Sequence, residues 1–324
     1  MVKIGHLMTG AAFAGLVLAP AFAQAADMKH VGVGILVTIS PTTTALQGAQ
    51  DELKKEGWVE GKNITYETQN AQNDFPTMRQ IGQKFANENL DLILAFGTVV
   101  SQNMYAATKT TPIVFSTVSD PIGAKLADSL DHPGHNLSGS RLFPDFHAIV
   151  GLITQIQPNA KKIGTIYTTA EPNSVAQVAV LKQELESRGM TLNGKVALNS
   201  NDVLGAAQAL VGQCDALLLI QDNNSVSNIA TVTKVASDAK LPLYASDTDA
   251  AQHGPIASIG ANVYQIGVAA GTVAGKVLKG QKVGDIPIVQ VPATDIVVNE
   301  SAAAKMGVKI PADIVAKAAV KVPG

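Results

Sequence analysis

The chain repeats itself. Lys29-His30-Val31-Gly32-Val33-Gly34-Ile35 leads into an amphipathic stretch closed by Gly57. Lys161-Lys162-Ile163-Gly164-Thr165-Ile166-Tyr167 leads into another, closed by Gly189, so an offset of 132 residues holds at both ends. The echo continues in Asn89–Ala95 against Cys214–Ile220, and in Thr111–Ser116 against Leu241–Ser246. A repeat of about 130 residues is too long for a solenoid unit and has the size of a whole domain. Two similar domains in one chain create a cleft between them, and such clefts are where small molecules bind.

Within each repeat, short apolar runs alternate with amphipathic stretches. Val31–Val37 and Leu90–Phe96 are runs of strand length, and Leu46, Ala49 and Leu53 fall at helical spacing before Gly57. Strands are expected again at Asn63–Thr68, Pro112–Ser116 and Leu137–Arg141, with Gly97-Thr98 opening one helix and Asp120-Pro121 capping another. The second unit offers strands at Ile163–Tyr167, Ala216–Ile220, Leu243–Ala245 and Ile256–Ile259, and helices at Val203–Val211 and Ser225–Ala239. Strand–helix alternation throughout predicts an α/β fold of two Rossmann-like lobes with parallel sheets. The character of the chain changes at Phe143-Pro144, at Gly260 and near Pro287–Pro292. Three interlobe crossings are therefore expected. They divide the chain into an export signal at 1–26, a first lobe of 27–142 plus 260–288, and a second lobe of 143–259 plus 289–324.

The export signal rests on Lys3, the apolar stretch Leu7 to Leu18, and small-x-small cleavage motifs at Ala21-Phe22-Ala23 or Ala23-Gln24-Ala25. No cysteine stands near those motifs, so a cleaved periplasmic product without a lipid anchor is expected. Charge is near balance at a formal −2, which disfavours a nucleic-acid partner. The single cysteine, Cys214, permits no internal disulfide and reads as a buried structural thiol.

In parallel sheets, ligands sit outside the carboxyl ends of the strands. The residues there are Thr38 and Ser40, Gly97 and Thr98, Ser116, Ser119 and Asp120 in the first unit. The second contributes Asp222, Asn223, Ser246 and Asp247, and Phe143 and Tyr167 join Phe96 as apolar lining. These are hydroxyls, amides and carboxylates without lysine or arginine. The set suits hydrogen-bonded capture of a small zwitterion, with Thr98 and Ser119 at a carboxylate and Asp222, or in its place Asp247, at an ammonium group. Gly32-x-Gly34 lacks the third glycine of a dinucleotide fingerprint. No nucleophile elbow, phosphate loop or His-Asp-Ser set can be assembled, and His132-Pro133-Gly134-His135 reads as a surface turn. No cofactor, metal or catalytic role is expected.

Ser116-Thr117-Val118-Ser119-Asp120-Pro121-Ile122-Gly123-Ala124, followed by His132-Pro133-Gly134-His135-Asn136-Leu137-Ser138-Gly139, resembles the signature region of a family of ABC-transporter substrate-binding proteins that includes tryptophan/tyrosine-type receptors. The Asp222-Asn223 pair, Ala257-Ser258 before Gly260, and Val298-Asn299 add to the likeness. The resemblance implies a type I periplasmic-binding fold that closes on its ligand and docks on an inner-membrane ABC permease. A monomeric importer component binding an aromatic or branched amino acid is the leading expectation. A ligand-sensing partner of a membrane signalling receptor and an exported enzyme using Asp120 or Asp222 are the alternatives.

Overall fold

The computed structural model describes residues 28–322, with Met1, Val2 and Gly5; the expected export signal lies outside the described residues. The first unit runs β1 (Lys29–Ile35), α1 (Ser40–Lys55), β2 (Ile64–Asn70), α2 (Phe75–Asn87), β3 (Leu92–Phe96), α3 (Thr98–Ala107), β4 (Ile113–Val118) and β5 (Leu137–Arg141). The second runs α4 (Phe146–Ile156), β6 (Lys162–Tyr167), α5 (Pro172–Ser187), β7 (Thr191–Val196), α6 (Asp202–Gln208), β8 (Ala216–Leu219), α7 (Asn223–Ser227), α8 (Ile229–Asp238), β9 (Leu243–Ala245) and β10 (Ala257–Gly260). There follow α9 (Val263–Leu278), β11 (Val289–Gln290), β12 (Asp295–Val298), α10 (Glu300–Lys305), α11 (Ala312–Lys317) and β13 (Val320–Lys321).

The strand order is β11-β5-β4-β3-β1-β2 in one sheet and β13-β12-β10-β9-β8-β6-β7 in the other. Strands β1–β5 and β6–β10 therefore occupy the same places in their sheets, which is the sequence echo in three dimensions. Every pairing in the first sheet is parallel, and in the second only β12 runs against its neighbour β10. This is the two-lobed, parallel-sheet architecture that the resemblance implies.

Residues of β3 explain how a parallel sheet hides both faces. Leu92, Leu94 and Phe96 join α1 and α9 in one apolar cluster, while Ile93 and Ala95 join α2 and α3 in another. Helices α1 and α9 approach until backbone meets backbone. A Cβ at Gly48 would collide with the Tyr264 carbonyl, and one at Gly267 with the Ala45 carbonyl. The turn at Gly57, with φ +96°, ends α1 through a bond from the Trp58 amide to the Leu53 carbonyl.

Several expected elements differ. No helix follows Asp120-Pro121: residues 121–126 form successive turns, and Lys125 at φ +59° breaks any helical continuation. The single helix expected over Ser225–Ala239 is α7 and α8, interrupted at Asn228. Strand β7 was not foreseen, since Asn193, Gly194 and Lys195 belong to an edge strand with little to bury. The boundary expected after Ile288 is also displaced: β11 pairs with Ser140 and Arg141 of β5, so the chain leaves the first sheet between Gln290 and Asp295. Gly260 likewise still pairs, with Asp295, in the second sheet. No helix among the described residues is long and apolar enough to cross a membrane.

Candidate functional site

The carboxyl ends of the two sheets face each other across a cleft. From the first sheet come Ile39, Pro41 and Thr42 after β1, Phe96, Gly97 and Thr98 around the end of β3, Thr117 and Ser119 at the end of β4, and Leu142 after β5. Opposite stand Asn173 after β6, Gln221, Asp222, Asn223 and Val226 after β8, and Asp247 after β9. Among the described residues, three hydrogen bonds span the gap. Thr44 Oγ1 donates to Asp249 Oδ1 at 3.1 Å, Asn73 Nδ2 donates to Asn224 Oδ1 at 2.6 Å, and His253 Nε2 lies 3.0 Å from Ser40 Oγ.

Gly97 precedes α3 at φ +95°, a conformation glycine adopts without strain, and supplies no side-chain cap. The first-turn amides of α3 are consequently open donors at the positive end of the helix dipole. Thr98 is 3% exposed, and its Oγ1 has no partner among the described residues. Thr117 stands at φ +58°, where the β4–β5 register slips, and its hydroxyl donates to the Ser116 carbonyl at 2.7 Å. A non-glycine residue in that region stores backbone strain, of the kind that clusters at functional sites.

The acidic side chains of the second sheet divide into sealed and open ones. Asp222 is fully buried, and both its oxygens are occupied. Oδ1 accepts from the Ser225 amide and hydroxyl at 2.8 and 2.7 Å, and Oδ2 accepts from the Thr168 amide and the Ser174 hydroxyl at 2.7 and 2.6 Å. It caps α7. Asp247 accepts through Oδ1 alone, from the amides of Asp249 and Ala250 at 3.0 and 2.7 Å. Among the described residues nothing donates to its Oδ2. Burial pushes the Asp247 carboxyl up to about 6; the Ala250 amide opposes this and the charge of Asp249 adds to it.

Glu171, which the sequence reading overlooked, is completely buried; burial, with a lesser push from the Asp222 charge, raises its carboxyl to about 7. Its Oε2 accepts from Asn223 Nδ2 at 2.7 Å, the Asn223 amide at 3.2 Å and Asn173 Nδ2 at 3.2 Å, while Oε1 has no partner among the described residues. Asn173 was missed as well. The available signal was Glu171-Pro172-Asn173 directly behind a strand, the same acid–proline opening as Asp120-Pro121.

Of the expected site residues, Gly97, Thr98, Ser119, Asp222, Asn223 and Asp247 line the cleft. The others stand apart. The Thr38 hydroxyl accepts from Asn70 Nδ2, Ser40 reaches His253, and Ser116 lies beneath Ser140. Asp120 holds the Gly123 amide and borders a neighbouring depression with Asn173. The Phe143 ring packs edge-on against Phe146 at 6.2 Å, the Tyr167 ring lies beneath Gly194, and Ser246 Oγ is buried without a partner. The expectation of no basic residue at a strand end needs correction: Arg141 closes β5, half-buried, with its guanidinium 5.5 Å from the Phe143 ring. It is not among the residues that line the cleft. Cys214 is half-buried, and burial raises its thiol to about 11. Among the described residues no cluster of three metal-ligating side chains occurs.

Residues 30–322 match the family described as ABC transporter substrate binding protein. The chain is 38% identical over 272 residues to a tyrosine-binding protein of Clostridioides difficile, covering 84% of this chain and 79% of that one. Its structure superposes on an ABC domain in complex with L-Trp from Streptococcus pneumoniae with a TM-score of 0.88 at 28% identity, covering 91% of this chain and all of the other. Against the ligand-free, open structure of a substrate-binding protein with adhesive properties from Clostridium difficile, identity is higher at 35%. The TM-score there falls to 0.68, with 90% of this chain and 99% of the other covered.

Proposed function

This chain belongs to the family of ABC transporter substrate-binding proteins, and we propose on that premise that it is the periplasmic receptor of an ABC importer. In this reading it captures an aromatic or branched amino acid by closing its two lobes. The ligand carboxylate accepts from the open first turn of α3, Thr98 Oγ1 and Ser119. Its ammonium group donates to Asp247 Oδ2. Ile39, Pro41, Phe96, Leu142 and Val226 cover the side chain.

The observation that carries the proposal is the placement of unpaired groups of opposite sense across one cleft: helix-start donors on one wall and a half-satisfied carboxylate on the other. A zwitterion answers both. An ammonium group assigned to Asp222 would have to displace four hydrogen bonds, so Asp247 takes that role. The segments 142–145, 261–262 and 291–294 act as hinges. Support for closure comes from shape, because the chain matches the L-Trp-bound structure better than the open one despite lower identity. The closed monomer then docks on its permease.

Calorimetry against tyrosine, tryptophan, phenylalanine, leucine, ribose and glutarate tests the ligand, with binding expected for the aromatic and branched amino acids. Binding of ribose or glutarate alone refutes it. Small-angle scattering tests closure, since the radius of gyration should shrink at saturation.

A further inference from the structure

Of the three interlobe hydrogen bonds among the described residues, two stand beside the cleft and one stands apart from it. Those of Thr44 with Asp249 and Ser40 with His253 join the start of α1 to the segment after β9, and their neighbours Pro41, Thr42 and Asp247 line the cleft. Asn73 and Asn224 are not among the lining residues. Their bond at 2.6 Å joins positions 151 residues apart in the chain.

Each partner is built firmly into its own lobe. Residues 70–74 form a tight turn after β2, in which Gln72 and Asn73 are both left-handed, at φ +51° and +65°. Asparagine tolerates that region, whereas glutamine enters it only at a cost. The Gln72 amide donates to Asn70 Oδ1 at 2.8 Å and the Asn73 amide to the Leu36 carbonyl at 2.7 Å, which ties the turn to the end of β1. On the other side, the Thr168 hydroxyl donates to the Ala197 carbonyl at 3.0 Å. Its proton is thereby used, so it can only accept from Asn224, whose Nδ2 lies 2.9 Å away. That fixes the direction of the buried Asn224 amide and turns Oδ1 toward the first lobe as an acceptor.

A fixed donor on one lobe thus meets a fixed acceptor on the other, in the closed arrangement. A bond made only there favours closure whatever occupies the cleft. We propose that Asn73 and Asn224 are the latch of the closed state, setting how tightly and how long a ligand is held without touching it. The inference rests on the lobe closure and amino-acid capture proposed above.

Asn73→Asp keeps the size of the side chain and its left-handed backbone, but sets a carboxylate oxygen against Asn224 Oδ1. Calorimetry should show affinity falling about tenfold or more, by one common factor for each of tyrosine, tryptophan, phenylalanine and leucine that the wild type binds. Stopped-flow displacement should place the loss in faster release, with association little changed. Asn73→Gly retains the φ of +65° without strain. It should lose less, about threefold, because it also deletes Asn73 Oδ1, which is buried without a partner among the described residues. Wild-type affinity in Asn73→Asp overturns the latch. A changed ranking of the amino acids does so too, since it marks a contact with the ligand. A larger loss in Asn73→Gly than in Asn73→Asp also overturns it, because packing and not the hydrogen bond would then be at stake. All three outcomes leave the amino-acid reading standing. Failure of the wild type to bind any of the four amino acids overturns both.

Discussion

The helix that follows β3 and the helix that follows β8 occupy equivalent places in the two lobes, yet they begin differently. Before α3 stands Gly97, which has no side chain and leaves the first-turn amides open to the cleft. Before α7 stands Asp222, whose carboxylate closes the Ser225 amide and is itself tied to Thr168 and Ser174. One residue at one topological position thus decides whether a helix start stays open to the cleft or becomes a structural joint. The same division runs through the lobes. The first wall offers donors and hydroxyls, while the second concentrates Glu171, Asp222, Asp247 and Asp249, all buried.

This contrast breaks most visibly at Asp222. Asp222→Ala removes the acceptor of four hydrogen bonds and should destabilise the protein by about 3–5 kcal/mol, read as a lowered denaturation midpoint in urea. A loss below 1 kcal/mol would mean that the helix start is not sealed as described.

Asp247→Asn should behave in the opposite way. Asparagine keeps an acceptor for the Asp249 and Ala250 amides and removes a charge that burial penalises. The unliganded variant should therefore gain up to about 3 kcal/mol at pH 8, the equivalent of a carboxyl raised from 3.8 to about 6. Amino-acid affinity should fall about a hundredfold, because the ammonium loses its charged partner. Calorimetry and thermal unfolding of one preparation check both.

Thr98→Val probes the donor wall. Its hydroxyl has no partner among the described residues, so stability without ligand should hold to within about 0.5 kcal/mol. Affinity should drop about tenfold as a hydrogen bond to the carboxylate is lost.

The pH dependence follows from the same buried carboxylates. Asp247 and Glu171 have folded-state values, about 6 and about 7, above their ordinary 3.8 and 4.5. Between those limits the folded protein holds more protons than the unfolded chain, so its stability falls as pH rises from about 4 to 7. A melting temperature that climbs over that interval would contradict this. A bound ammonium reverses the preference at Asp247, and affinity should weaken by up to about tenfold per unit below pH 6.

What the sequence made legible was local. Val31–Ile35 and Leu92–Phe96 announce buried strands by unbroken apolar runs, and the repeat makes the second sheet readable from the first. Asp222 and Asp247 both follow strands, and nothing within a few residues of either separates a sealed carboxylate from an open one. The distinction comes from Thr168 and Ser174, which reach Asp222 from 54 and 48 residues away. Glu171 was hidden for the same reason, since two of its three hydrogen bonds come from Asn223, 52 residues later. Arg141 was passed over because it is the last residue of a strand and not the first one beyond it. The strain at Thr117 has no side-chain signature.

The interlock of α1 with α9 has a consequence in time. Tyr264 on α9 donates its hydroxyl to Asp51 on α1 across 213 residues of chain, and α9 supplies one apolar layer over Val31, Val33, Leu92 and Leu94. A ribosome makes that layer only after it has made nearly all of the other sheet. Until then α1 alone covers that face of the first sheet, which cannot complete its core. Such distant closure slows folding and keeps a half-made chain pliable. The glycines that let the two helices meet thus also set the moment of commitment, because the first lobe locks only when a segment from the far side of the other has returned.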